Sequence, residues 1–205
     1  MASITLYTNK MSRGRIVRWM LEELGEPFDT QFVEYGQEMK SAEYLAINPM
    51  GKVPALKHGE AVITETPAIL TYLADTFSEK NLIPPQGSAA RAAFFRWLFF
   101  TAGPLESATL NQFLGMSPPE LSPWGKPSAG TLGYGTLALT LNTLENHLKQ
   151  NTYVCGEQFT AADVYLASHL AFGIHVTKAY ETCPVFDDYI KRAVSRPAKQ
   201  RADAA

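Results

Sequence analysis

Hydrophobic and polar positions alternate over SITLYT (residues 3–8), with Ile4 and Leu6 on one face. That period of two is the signature of a β-strand. In SRGRIVRWMLEELG the period changes: Ile16, Val17, Met20, Leu21 and Leu24 recur at three- and four-residue spacing, and Gly25 supplies a helix end. PFDTQFVEY returns to strand, with Phe28 and Phe32 two alternations apart, and MKSAEYLAINP reads as a short helix stopped by Pro49. VPALK and AVIT form a hairpin around His58-Gly59, where glycine supplies the positive φ of a tight turn. TPAILTYLADTF is helical again. The order β-α-β-α-β-β-α predicts a small α/β unit with a mixed sheet.

SEKNLIPPQGS breaks the pattern with a proline pair, a glycine and charges, and reads as a linker. Beyond it no stretch has a convincing strand pattern. AARAAFFRWLFFTAGPLESATLNQFL is a long aromatic-rich helical stretch, and TLALTLNTLENHLKQ is amphipathic. FTAADVYLASHLAFG opens with Thr160 followed three residues later by Asp163, an acidic variant of the capping box. FDDYIKRAVSR makes one more helix, while GMSPPELSPWGKPSAGTLGYG is a loop rich in proline and glycine. The expected organisation is an α/β domain over 1–80, a linker over 81–88 and an all-α domain over 89–205.

Composition narrows the function without naming it. Of 205 residues, 46% are hydrophobic and 19% charged, as in an ordinary globular protein, and the net charge of −2 offers no field for nucleic acid. The basic residues are scattered, which argues against a membrane-surface patch, and AAFFRWLFF is interrupted by Arg96 and too short to span a bilayer. MASITLYTNK lacks the apolar run of a secretion signal. Cys155 and Cys183, the only cysteines, make neither a disulfide framework nor a zinc site. A cytoplasmic protein is the expectation, with no metal site.

The candidate chemistry lies in GKVPALKHGEAVITETPAIL, residues 51–70. Pro54 has no N–H to give to a ladder, so the main-chain groups of Val53 are expected to face outward, with a cis Val53-Pro54 bond as the turn. They can then pair with an extended peptide laid alongside. Pro67 suits the first helical position and Thr66 the N-cap before it, so unpaired N–H groups and a partial positive charge make a seat for a carboxylate. Glu65 beside them suits an ammonium. Together they match the two charges of an α-amino acid head.

These segments carry a resemblance. NPMGKVPAL followed by ITETPAILTYL is similar to the glutathione-binding half of the cytosolic glutathione transferases, a thioredoxin-like domain, and YVCGEQFTAADV resembles the capped helix of that family's all-α C-terminal domain. The resemblance implies glutathione as co-substrate, no further cofactor, a small apolar electrophile as second substrate, and a homodimer. It also implies roles for particular residues. Val53 pairs with the cysteinyl main chain, Glu65 and Thr66 hold the γ-glutamyl head, and Lys52 neutralises the glycyl carboxylate, with Lys40 behind it. Several classes place a histidine on the stretch around Met39, which this chain lacks.

The thiolate is the nucleophile, so the enzyme must stabilise an anion: two pKa units require roughly 2.7 kcal/mol. Ser12, between the first strand and the first helix in the pattern Ser-x-x-Arg, resembles the serine-type classes and is the expected donor. Tyr7, Thr8 and Asn9 are its rivals. No cysteine precedes Cys155, so mixed-disulfide chemistry has no nucleophile at this position. The alternatives to a transferase are a glutathione-dependent disulfide or peroxide reductase and a non-catalytic interaction protein on the same fold. Phe94 to Phe100, Phe113 and Trp124 are candidates for an acceptor pocket.

Overall fold

The computed structural model describes residues 3–116 and 132–204. The described part divides into two compact units, residues 1–83 with 195–205, and residues 84–194.

In the first unit, β1 (Ile4–Thr8) runs parallel to β2 (Asp29–Phe32), β3 (Ala55–His58) pairs antiparallel with β1, and β4 (Ala61–Thr64) pairs antiparallel with β3. The strand order is β2-β1-β3-β4, the mixed sheet that the alternating periods predict. The helices are α1 (Gly14–Leu24), the short α2 (Ala42–Leu45) and α3 (Thr66–Thr76). Leu6 and Leu56 from the sheet are buried, as are Val17, Met20, Leu21 and Leu24 of α1 and Ile69, Leu70 and Leu73 of α3. Gly25 ends α1 in the left-handed region, φ 69°, and gives its N–H to Leu21 O. Gly14 is obligatory for a different reason: a Cβ there would lie 1.8 Å from Thr8 Oγ1.

Two features of this unit depart from the expectation. Trp19 lies off the apolar stripe of α1, yet it is fully buried. An unforeseen helix, numbered α9 in chain order (Pro197–Asp203), packs on α1: Arg196 grips the Glu23 carboxylate with two bonds of 2.7 Å, and Arg201 pairs with Glu22 at 2.9 Å. Residues 195–205 therefore group with the α/β unit and not with the helical domain of 89–205.

The second unit is helical, its described strand content limited to one isolated bridge, Tyr153 to Gly156. It comprises α4 (Ala89–Phe100), α5 (Glu106–Phe113), α6 (Leu137–Leu148), α7 (Ala161–Ala171) and α8 (Pro184–Val194). A π-helical turn over Thr101–Leu105 joins α4 to α5 and absorbs Pro104, whose missing N–H would break an α-helical ladder. Phe94, Trp97 and Leu98 of α4 are buried, as are Leu144 of α6, Tyr165 of α7 and Tyr189 of α8. At the start of α7, Asp163 accepts from Thr160 N–H (2.8 Å), Thr160 Oγ1 (2.9 Å), Val154 N–H (2.9 Å) and Tyr189 Oη (2.8 Å). The acidic return of the capping box is thus present, extended to three further donors. Burial pushes the Asp163 carboxyl up to about 6 against the pull of these bonds. Trp124 and most of the proline-rich loop lie outside the described residues.

Candidate functional site

Antiparallel pairing aligns Tyr7 with Ala55 and Ala55 with Thr64, so the three form one row across the sheet. Thr8 leads from β1 toward Ser12, Pro54 leads into β3, and Glu65 follows β4 directly. The three segments singled out in the sequence therefore leave the sheet at the same end. Two strand spacings make the row about 10 Å wide, close to the length of three extended residues.

The middle segment is held open by its neighbours. The Val53-Pro54 bond is cis. The carbonyl of Lys52 accepts both Tyr44 Oη and Asn48 Nδ2 at 2.7 Å. Burial, with the neighbouring Tyr7, pushes the Tyr44 phenol up to about 12, so it stays a donor across the physiological range. Asn48 is itself fixed, its Oδ1 accepting Met50 N–H at 3.1 Å. Val53 packs its side chain toward a small cluster of Val33, Met39 and Tyr44, and its main-chain N–H and C=O have no partner among the described residues. Lys40 donates to Met50 O (3.0 Å) and Gly51 O (3.1 Å), which makes it a brace for this loop, whereas Lys52 is exposed and has no ion pair among the described residues. Sequence reasoning missed Tyr44 and Asn48, whose work is done across the loop on a backbone atom.

The start of α3 corrects one expectation. Thr66 is the first helical residue and Glu65 the cap, at φ 66° and ψ 118°. A non-glycine residue at such dihedrals is strained. The Glu65 carboxylate makes no capping bond and is exposed. The first helical bond runs from Ile69 N–H to Glu65 O at 2.9 Å, which leaves the N–H groups of Thr66 and Ala68 ahead of it, and Pro67 has none. Thr66 is buried, and its hydroxyl makes no hydrogen bond among the described residues.

Ser12 is half-buried in the turn before α1. Its Oγ donates to Asn9 O at 2.8 Å and accepts the N–H groups of Gly14 (3.0 Å) and Asn9 (3.3 Å). Of its rivals, Thr8 and Asn9 are buried. Asn9 is buried with Nδ2 on Val33 O (3.2 Å) and Oδ1 on Met11 N–H (3.0 Å). Thr8 is buried and turns its hydroxyl to Asn9 O at 3.4 Å. Tyr7 lies within β1, its ring 6.1 Å from that of Tyr44.

Comparison with known proteins identifies the family. Residues 11–76 match the family model for the glutathione S-transferase N-terminal domain, and residues 129–191 match that for the C-terminal domain. The chain is 29% identical to glutathione S-transferase GstA of Escherichia coli O157:H7 over 90% of each chain. It is 31% identical to human glutathione S-transferase theta-1, over 87% of this chain and 73% of that one. A glutathione transferase family member from Pseudomonas fluorescens Pf-5, solved with two glutathione bound, superposes with a TM-score of 0.76 at 27% identity, covering 98% of this chain and 92% of that one. With both domains matched in order, the chain belongs to the glutathione S-transferase family.

Proposed function

We propose that this glutathione transferase lays reduced glutathione across the row defined by Tyr7, Ala55 and Thr64. The observation that carries the reading is the convergence of Ser12, Val53 and Glu65-Thr66 at one end of the sheet. The γ-glutamyl ammonium pairs with the Glu65 carboxylate, and its carboxylate takes the Thr66 hydroxyl and the N–H groups at the start of α3. The cysteinyl main chain pairs with Val53, and Lys52 balances the glycyl carboxylate. The bound structure of the Pseudomonas relative supports glutathione as the ligand.

Ser12 donates to the sulfur as it ionises. Its hydroxyl donates to Asn9 O at 2.8 Å. Turning to a thiolate exchanges a neutral hydrogen bond, worth about 1 kcal/mol, for one to an anion, worth about 1.5–3 kcal/mol. The gain is the difference, on the order of one pKa unit, which is less than the full two units that an unengaged hydroxyl would supply. The thiolate then attacks an apolar electrophile, forming a thioether and expelling a leaving group or opening a strained ring. Action in the cytoplasm and assembly as a homodimer belong to the same proposal. The two free thiols, Cys155 and Cys183, support a reducing compartment.

The test is a calorimetric titration of the full chain with reduced glutathione, followed by turnover with an activated aryl chloride. Binding with conjugation is the expected result. Binding without conjugation, but with reduction of a mixed disulfide, moves the protein to the reductases. No heat at millimolar glutathione moves it to the non-catalytic interaction proteins.

A further inference from the structure

Two clefts in the α/β unit are bordered by α1, β2 and α9, and Arg18 lines both. In the larger, about 510 Å³, the neighbouring charges are matched: Glu22 pairs with Arg201 at 2.9 Å and Glu26 with Lys80 at 2.7 Å. The smaller, about 270 Å³, is not balanced. It is lined by Lys10, Arg15 and Arg18 against the single carboxylate of Asp203, a formal excess of two positive charges. Asp203 is also shared, lying 3.4 Å from Arg15 and ion-paired with Lys199.

Arg18 packs over the Phe28 ring, 5.5 Å from its centroid, and is short of acceptors. Its Nε is buried with no acceptor among the described residues, and Nη1 reaches Thr30 Oγ1 only at 3.4 Å. Buried donors without partners are rare enough in folded proteins to call for an explanation. Beside these cations stands Phe32, an exposed ring on the edge strand, with Lys10 Nζ 5.7 Å from its centroid. A double positive excess, a guanidinium short of acceptors and an open aromatic wall describe one kind of ligand.

We propose that the smaller cleft is a second binding site, for a phosphomonoester with a planar aromatic body. A phosphomonoester carries close to two negative charges at neutral pH and presents several acceptor oxygens. Its oxygens fit the planar guanidinium fork, and its ring packs on Phe32. A monocarboxylate would leave one positive charge unmatched. The cleft borders the Ser12 turn through Thr8, Asn9 and Gly14, but lies on the β2 side of β1, away from the Val53 and Glu65 segments of the proposed glutathione seat.

Phenyl phosphate is the probe, titrated into the full chain by calorimetry and by NMR, with and without saturating glutathione. Saturable binding of one molecule is expected, weakened by salt and unaltered by glutathione. Arg18→Met should weaken it by about tenfold or more, and Lys10→Met, at an exposed side chain, by roughly threefold. Phenol should not bind. Absence of saturable binding overturns the proposal, as does displacement of the probe by glutathione. Wild-type affinity in Arg18→Met overturns it too. If Arg18→Met does not fold, wild-type affinity in Lys10→Met has the same force. Equal affinity for inorganic phosphate overturns the aromatic part of the assignment.

Discussion

Two helices of this chain begin in opposite ways. At α7 the cap is closed by its own chain: Asp163 alone takes four hydrogen bonds. At α3 the cap residue is strained, its carboxylate points to solvent, and the Thr66 hydroxyl is unspent among the described residues. Unsatisfied donors at a helix start cost stability unless something from outside meets them. A closed N-terminus marks a structural joint, and an open one is what the proposed glutathione seat requires.

Substitution should separate the two most sharply at Asp163. Asp163→Asn replaces an acceptor of four bonds with a group that must itself donate, so about 3 kcal/mol of stability should be lost. Chemical denaturation would read this as a lower midpoint. An unchanged midpoint would remove the claim that α7 is the structural joint.

Glu65 is expected to behave in the contrary way. Glu65→Ala should weaken glutathione by roughly ten- to a hundredfold, the loss of one charge-assisted bond, with stability within about 0.5 kcal/mol of wild type. Glu65→Gly sharpens the point. It relieves the dihedral strain and should add about 1 kcal/mol of stability while losing the same affinity. Calorimetry and thermal melting on the two variants would show whether strain and affinity reside in one residue.

A smaller effect is expected at Ser12. Ser12→Ala should raise the pKa of bound glutathione by about one unit and lower turnover about tenfold at neutral pH, with affinity nearly kept. The penalty should fade as pH rises and thiolate becomes abundant. Coincident thiolate titrations for wild type and variant would return the role to the rivals, or leave Ser12 as a loop tie to Asn9 alone.

The smallest effect concerns the closed end. Val154 is held on both sides, its N–H by Asp163 and its carbonyl by His147 Nε2 at 3.0 Å. Burial holds the His147 imidazole below its usual value, with Arg96 acting in the same direction and the bond to Val154 opposing. A base with a depressed folded pKa takes up its proton more readily when unfolded. Stability from this group is thus complete above the ordinary histidine value of about 6.5 and is lost as pH falls through it. Melting curves of wild type and His147→Asn should converge on acidification. Parallel curves would reject the coupling.

Local chemistry explains what was legible beforehand. Gly25, the His58-Gly59 turn, the Val53-Pro54 bond and the Thr160–Asp163 spacing each specify a conformation through residues a few positions apart. The cap of α3 was placed one residue late because Thr66 is the better cap by type. Nothing in a glutamate announces a positive φ. Tyr44 and Asn48 were missed because they act on the backbone oxygen of Lys52, where the identity of the side chain leaves no trace. The burial of Trp19 was illegible from α1 alone, since its cover comes from α9. Pro197 at a helix start, followed by the helix formers of AKQRAD, was the available signal for that element.

That returning helix has a consequence for how the molecule can be made or divided. The α/β unit is discontinuous in sequence, with the whole helical unit inserted between its two pieces. During synthesis its sheet can assemble early, but the outer face of α1 stays uncovered until residue 203 or so has emerged. A fragment ending at the linker would carry the proposed glutathione segments with Trp19 and the Glu23 carboxylate deprived of their α9 partners. A shortened version of this unit that keeps the cover of α1 must therefore carry residues 195–204 joined to the α/β segment.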